Sequence, residues 1–235
     1  MKILALDSSG MVASAAIAQD EILLAEYTVN YKKTHSQTLL PMVDEIVRMT
    51  ELDLETVDYI AVAAGPGSFT GLRIGSATAK GLGLALNKPL IGVPTLEGLA
   101  YNLAGADKLI CPMMDARRSQ VYTGIYRSRE DGLDVILPQK AVGVTELIQE
   151  LNQAGEPVIL LGDGVPVYLS LLEEGLAVPF EKAPLHLNRQ RAASIAALGM
   201  IYAKEGKIQT AAEHRPQYLR LSQAERERLK KEAAK

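Results

Sequence analysis

The chain opens with three short apolar runs, residues 2–6, 12–18 and 22–29, separated by Ser8-Ser9-Gly10 and by Gln19-Asp20. Runs of this length between turn residues predict a three-stranded meander. From about 36 to 52 the period changes, with Leu39, Val43, Ile46 and Val47 at helical spacing and Met42 and Met49 widening the stripe,. Pro41 falls in its opening turns, where it is tolerated or bends the helix,. Residues 59–64 are wholly apolar, as a buried parallel strand requires, and 71–86 read as a second helix closed by Asn87 and Pro89,. The order so far is βββαβα. A second round begins at 109, with strands expected at 109–114, 120–127 and 133–137 and a helix at 145–152. A strand at 158–161, a Gly162-Asp163-Gly164 turn and helices at 167–174 and 189–204 complete it.

Two βββαβα units in one chain are the layout of the actin, hexokinase and Hsp70 (ASKHA) superfamily, whose members hold a nucleotide between two related lobes. The expected fold class is therefore α/β and two-lobed, an analogy of fold that does not decide function. The expected division is a first lobe at 1–104, a second, smaller lobe at 105–213, and a C-terminal segment at 214–235 packing back on the first.

Composition narrows the setting. With 48% hydrophobic residues among 235, the chain has enough apolar surface for one large core or two smaller ones,. No stretch approaches the 18 apolar residues of a membrane helix, and residues 1–6 lack the apolar run of a signal peptide. A single cysteine, Cys111, has no internal disulfide partner, so a reducing cytoplasm is expected. The net charge of −3 supplies no broad positive field, so contact with RNA is expected only through a partner. The basic tail, Arg226, Arg228, Lys230, Lys231 and Lys235, is interleaved with Glu225, Glu227 and Glu232 and reads as a solvated helix face,.

The most informative segment lies between the 59–64 strand and the helix after it. Gly65, Gly67, Gly71 and Gly75 allow close backbone approach, and Ser68 or Thr70 can cap the helix,. One reading is an anion cradle at a helix start; the other is a sharp strand-to-helix turn, since no Gly-Lys-Ser/Thr closes the loop. Gly71, Gly75, Ala79 and Gly83 recur every four residues and predict a close helix contact, either internal or across subunits,. Each helical glycine costs about 1 kcal/mol relative to alanine, so a packing need must outweigh that loss. Together with the wide apolar surface of the 36–52 helix, the stripe favours a subunit interface.

Here a resemblance becomes specific. The run Ala64-Gly65-Pro66-Gly67-Ser68-Phe69-Thr70-Gly71-Leu72-Arg73 resembles the signature of the TsaB (YeaZ) family, continued by Lys80-Gly81-Leu82 and Gly92-Val93-Pro94-Thr95-Leu96. Leu6-Asp7-Ser8-Ser9, His35-Ser36-Gln37, Met114-Asp115-Ala116-Arg117, Gln120-Val121-Tyr122 and Pro216-Gln217-Tyr218-Leu219-Arg220 follow the family order along the chain. The resemblance implies a non-catalytic subunit in the synthesis of N6-threonylcarbamoyladenosine at position 37 of tRNA. Such a subunit binds and stabilises the catalytic paralogue TsaD and acts with the ATPase TsaE. It also implies docking through the 36–52 and 71–86 helices, with Leu39, Met42, Val43, Ile46, Met49, Gly71, Gly75, Ala79 and Gly83 as interface residues and a homodimer when the partner is absent.

The resemblance further implies a vestigial nucleotide or anion site formed by Asp7, Ser8, Ser9, Gly65, Gly67, Ser68, Asp115 and Arg117. Asp7 is well placed after the first strand, but Ser8-Ser9 replaces the Asp-x-Gly-x-Thr turn of active superfamily members, and Ala116-Arg117-Arg118 crowds the second turn,. No cofactor is expected. No metal is expected either, since His35, His186 and His214 include no i, i+4 pair of the kind TsaD carries,. The alternatives are a stand-alone ATP-dependent phosphotransferase, favoured by the duplicated fold and Asp7, and a glycoprotease-like peptidase, opposed by the absence of Gly-x-Ser-x-Gly and His-Glu-x-x-His.

Overall fold

The computed structural model describes residues 1–220. The charged tail residues from Glu225 to Lys235, and with them most of the expected 214–235 unit, lie outside the described residues.

Among the described residues ten strands form two five-stranded sheets of the same design. In the first, β1 (Lys2–Asp7) pairs antiparallel with β2 (Ala13–Gln19), which pairs antiparallel with the edge strand β3 (Ile22–Val29). On its other side β1 pairs parallel with β4 (Tyr59–Gly65), and β4 with β5 (Leu90–Pro94). The second sheet repeats this with β6 (Leu109–Arg117), β7 (Gln120–Arg129) and β8 (Gly132–Gly143) antiparallel, then β9 (Val158–Leu161) and β10 (Phe180–Lys182) parallel to β6. The spatial orders, β3-β2-β1-β4-β5 and β8-β7-β6-β9-β10, correspond position for position. This is the α/β architecture of two like-ordered sheets that the repeated pattern predicts.

The strands β5 and β10 and the helix α3 (Thr95–Tyr101) are additions to the predicted order. The four residues between Pro89 and Pro94 are interrupted by Gly92 and so do not read as a strand, yet Leu90, Ile91 and Val93 are fully buried against β4. The predicted 133–137 strand extends to twelve residues. The predicted 167–174 helix divides into α5 (Gly164–Val167) and α6 (Leu169–Gly175).

One face of the first sheet is covered by α1 (His35–Thr50) and α2 (Phe69–Ala85), with Leu39, Met42, Val43 and Ile46 packed on Leu4, Leu6, Ile60 and Val62. The opposite face is covered by α7 (Ala192–Lys204), whose Ile195, Ala196 and Leu198 meet Ile3, Ala5, Ala61 and Ile91. Alanine and glycine keep α7 close, since a Cβ at Gly199 would stand 3.0 Å from that of Ala61. Helix α3 packs through Leu96, Leu99 and Ala100 on Ile110, Met114 and Tyr126 of the second sheet, whose other face carries α4 (Val144–Ala154) and α6. Thus α3, encoded with the first half, covers the second sheet, and α7, encoded with the second half, covers the first. This exchange ties the lobes together.

Candidate functional site

The parallel strands β1, β4, β6 and β9 all point their carboxyl ends at the space between the lobes, the place where open α/β sheets bind ligands. A cavity of about 390 Å³ lies there, lined among others by Ser9, Gly67, Ser68, Asp115, Arg117 and Asp163. Of the eight residues expected at an anion site, five line this cavity; Asp7, Ser8 and Gly65 lie behind them, each buried.

The turn after β1 is already filled. The Asp7 Oδ1 accepts hydrogen bonds from the Ser9 amide at 2.8 Å and the Ser9 hydroxyl at 2.6 Å, so that amide is not free to bind a phosphate. Asp7 is 1% exposed, and burial pushes its pKa up to about 6, with its bonds to Ser9 and the nearby His35 opposing that rise,.

Above this turn sits the glycine-rich segment. The Ser68 amide donates to the Ser9 carbonyl at 2.6 Å and the Ser8 hydroxyl donates to the Gly71 carbonyl at 2.9 Å. The Ser68 hydroxyl accepts from the Gly71 amide and caps α2,. A Cβ at Gly67 would collide with the Ser9 carbonyl, one at Gly71 with the Ser8 carbonyl, and one at Gly75 would lie 2.5 Å from the Ser8 hydroxyl. The glycines therefore let α2 and its approach loop lie directly on the β1–β2 turn. The anion-cradle reading is corrected on this ground: carbonyl oxygens, which repel an anion, occupy the space the glycines open.

The second turn repeats the arrangement. The Asp115 Oδ1 accepts from the Arg117 amide at 2.8 Å and from the Tyr168 hydroxyl at 2.9 Å, while the Asp115 amide donates to Asp163 at 3.1 Å. Burial of Asp163 raises its pKa. In both lobes an aspartate at the end of the central strand accepts from the amide two residues on, so each turn is closed by the chain's own carboxylate. The two differ in exposure: Arg117, Arg118 and Ser119 are all exposed and stand at φ of +65°, +58° and +55°.

Neither nucleophilic nor metal chemistry is assembled among the described residues. No group of three or more His, Cys, Asp or Glu side chains is placed to hold a metal. The Ser9 hydroxyl bonds directly to Asp7 with no imidazole between them, and His35 Nε2 donates to the Gly10 carbonyl, so the triad order of a peptidase is broken. The Cys111 thiol is buried and pushed up to about 12 by desolvation, which leaves it unreactive.

The expected interface residues divide sharply. Leu39, Met42, Val43 and Ile46 belong to the first lobe's own core. Gly71 and Gly75 face Ser8, Ala79 is fully buried, and a Cβ at Gly83 would strike Leu90. The small-residue stripe packs internally, which corrects its assignment to a subunit contact; of the nine residues only Met49, 69% exposed, faces outward. The outward residues of the same two helices include Leu40, Ala77, Gly81 and Leu84. Sequence reasoning passed over them because their spacing overlaps the inner stripe; the available signal was Gly81, a mid-helix glycine off that stripe, which the structure leaves with no neighbour among the described residues within 4 Å of its would-be Cβ.

The C-terminal segment returns over the first lobe. Gln209 bridges to Leu90, the Gln217 amide donates to the Ala64 carbonyl at 2.6 Å, and the Tyr218 ring lies 4.6 Å from that of Phe69. Gln139 of the second lobe donates to both the Gly65 carbonyl and Gln217 Oε1, and Arg220 reaches the Ala116 carbonyl. Strap and cleft are thereby joined.

The family model described as "TsaD: tRNA N6-adenosine threonylcarbamoyltransferase" matches residues 22–228. The chain is 34% identical over 225 residues to the tRNA threonylcarbamoyladenosine biosynthesis protein TsaB of Bacillus subtilis, covering 96% of each. It is 33% identical over 178 residues to the protein of the same description from Escherichia coli, covering 74% of this chain and 76% of that one. Among solved structures, YeaZ from Pseudomonas aeruginosa matches with a TM-score of 0.78 at 26% identity, over 93% of this chain and 99% of that one.

Proposed function

The chain belongs to the TsaB family of tRNA threonylcarbamoyladenosine biosynthesis proteins, and from that premise we propose that it is a non-catalytic partner subunit. It binds and stabilises TsaD, acts with TsaE, and meets tRNA only within that assembly. The observation that carries this reading is the filling of both phosphate turns by Asp7 and Asp115. A phosphoryl-transfer enzyme of this architecture needs those amides free for the nucleotide and a metal to bridge its phosphates. Here a nucleotide phosphate would have to displace a carboxylate that is hydrogen-bonded in place and, at Asp7, fully enclosed.

Docking uses the outward faces of α1 and α2. Leu40, Met49 and Leu84 are 53%, 69% and 73% exposed, and Gly81 between them leaves room for a second helix backbone to approach. Exposed apolar residues on adjacent helices have a reason if another protein covers them, and a second copy of the chain covers them when TsaD is absent. No helix among the described residues is long and apolar enough to cross a membrane, which accords with work beside tRNA in the cytoplasm.

The test is tRNA modification by purified TsaD and TsaE, supplied with threonylcarbamoyl-adenylate and ATP, with and without this chain. Activity that requires the chain, and none from the chain alone, is the expected result. Full activity without it, together with nucleotide-dependent stabilisation of the isolated chain by about 2.7 kcal/mol at 100 times the dissociation constant, would establish the phosphotransferase alternative instead.

A further inference from the structure

An arginine and aromatic strip crosses the mouth of the cleft from one lobe to the other. The Arg73 guanidinium stands 4.0 Å over the Phe69 ring, and Phe69 packs on Tyr218, 40% exposed, with the ring planes 34° apart. Two residues further, Arg220 holds the Ala116 carbonyl of the β6–β7 turn, and Arg117 and Arg118 project from that same turn. The strip thus runs from Arg73 through Phe69, Tyr218 and Arg220 to Arg117 and Arg118.

The strip's charge is poorly neutralised by its neighbours. Among the described residues no carboxylate lies within salt-bridge distance of Arg73, Arg118 or Arg220. Asp115, 3.6 Å from Arg117, is only 14% exposed and already accepts from the Arg117 amide and Tyr168. Three arginines without an ion-pair partner among the described residues, and a fourth held only at 3.6 Å from Asp115 Oδ2, therefore lie along this strip of a chain whose net charge is −3. The β6–β7 turn is also held at a cost, since non-glycine residues in the left-handed region lose about 1 kcal/mol or more each. Glycine or asparagine would occupy it with less strain, and two exposed arginines stand there instead.

We propose that this strip is an RNA-binding surface through which the chain contacts the phosphate backbone of tRNA in the assembled complex. Guanidinium forks pair with phosphate oxygens, and an exposed tyrosine among them offers a platform for an unpaired base. An acidic peptide would use the cations and leave the aromatic pair without a role, which favours RNA. The inference rests on the assembly proposed above; Arg73 continues the outward row of α2 through Ala77, Gly81 and Leu84, so the strip begins at the edge of the proposed docking face.

The experiment uses the complex with full-length chain and an unmodified tRNA transcript, with the dissociation constant measured across a salt series. The variant combines Arg73→Gln, Arg118→Asn and Arg220→Gln; asparagine tolerates the left-handed backbone at 118. Arg127→Gln, at the far end of the β6–β7 hairpin and paired with Glu156, is the control. Removing one arginine–phosphate pair reduces the slope of log affinity against log salt by about 0.7 to 0.9. The triple variant is therefore expected to show a slope smaller by roughly two units and an affinity at least tenfold weaker, and the control neither change. Variants that assemble and bind tRNA with the parental slope would overturn the inference alone. Variants that fail to assemble would mark the strip as a protein–protein surface and overturn it too. Failure of the parental chain to assemble would remove the functional reading and this inference together.

Discussion

Gly71, in the first turn of α2, and Gly81, in its interior, lie ten residues apart, and an interior glycine costs about 1 kcal/mol relative to alanine,. Gly71 is buried against the Ser8 carbonyl, where any side chain collides with backbone, whereas a side chain at Gly81 meets nothing within 4 Å. The inner glycine is explained by the fold. The outer one meets no neighbour among the described residues, as the docking face proposed above requires. An every-four-residue stripe in a sequence is thus ambiguous between core and interface, and the distinction rests on which side the sheet takes.

The widest separation between the two positions should come from alanine. Gly71→Ala is expected to destabilise by at least about 3 kcal/mol, because the obstacle is a carbonyl in a tight turn and not a flexible side chain; a destabilisation under about 1 kcal/mol in urea unfolding would mean the turn can yield. The turn that Gly71 packs on also encloses Asp7. With a folded pKa of about 6 against an ordinary value of 3.8, the folded state binds this proton more tightly than the unfolded state. The group's contribution is therefore favourable below the unfolded value and disappears as pH rises through about 6. Asp7→Asn keeps the oxygen that Ser9 needs and removes the charge, so it should stabilise the protein at pH 8 by up to about 3 kcal/mol. The gain should shrink steadily as the pH of the denaturation series falls from about 7 to about 4, and a pH-independent gain would show that Asp7 is not the titrating group.

On the outward face the effect moves from folding to assembly. Leu84→Asp should leave the stability within about 0.5 kcal/mol of the parent and weaken association with TsaD, or with a second copy, by about 2 kcal/mol. Unchanged association in sedimentation would place the partner elsewhere. Smallest of all, Gly81→Ala should raise monomer stability by about 1 kcal/mol, since it gains helix propensity without a clash; a fall in stability would show that the site is crowded after all. Gly75→Leu, which an interface reading of the inner stripe would predict to spare the monomer, should unfold it, because its first carbon already meets Ser8.

Much of this was legible before any coordinates. Apolar runs of four to eight residues, the switch to helical period at 36–52 and the repetition of the whole order in the second half specify the two lobes, because alternation and periodicity record which faces are buried. The shorter elements were not legible. β5 is broken by Gly92 and flanked by Pro89 and Pro94, and β10, three residues with two of them charged, carries no pattern; what makes them strands is a neighbour to pair with. Nor does the sequence show the crossing of α3 and α7 to each other's sheets, since both are apolar nearly all round and declare burial without declaring against what.

The candidate site divides in the same way. The sequence by itself determined the two aspartates, the departure of both turns from a phosphate-binding pattern, the missing histidine pair and the family, because these are matters of residue type and spacing. Only the tertiary structure decided that Asp7 and Asp115 close their own turns, that the glycine loop is a lid, that the small stripe faces inward, and that Arg73 and Arg220 join a strip with Arg117. The glycine clashes and the bond from Arg220 to Ala116 depend on distances between segments far apart in the chain, while the aspartate turns and the Arg73–Phe69 contact are local in sequence and depend on the backbone and side-chain conformation that the fold imposes there.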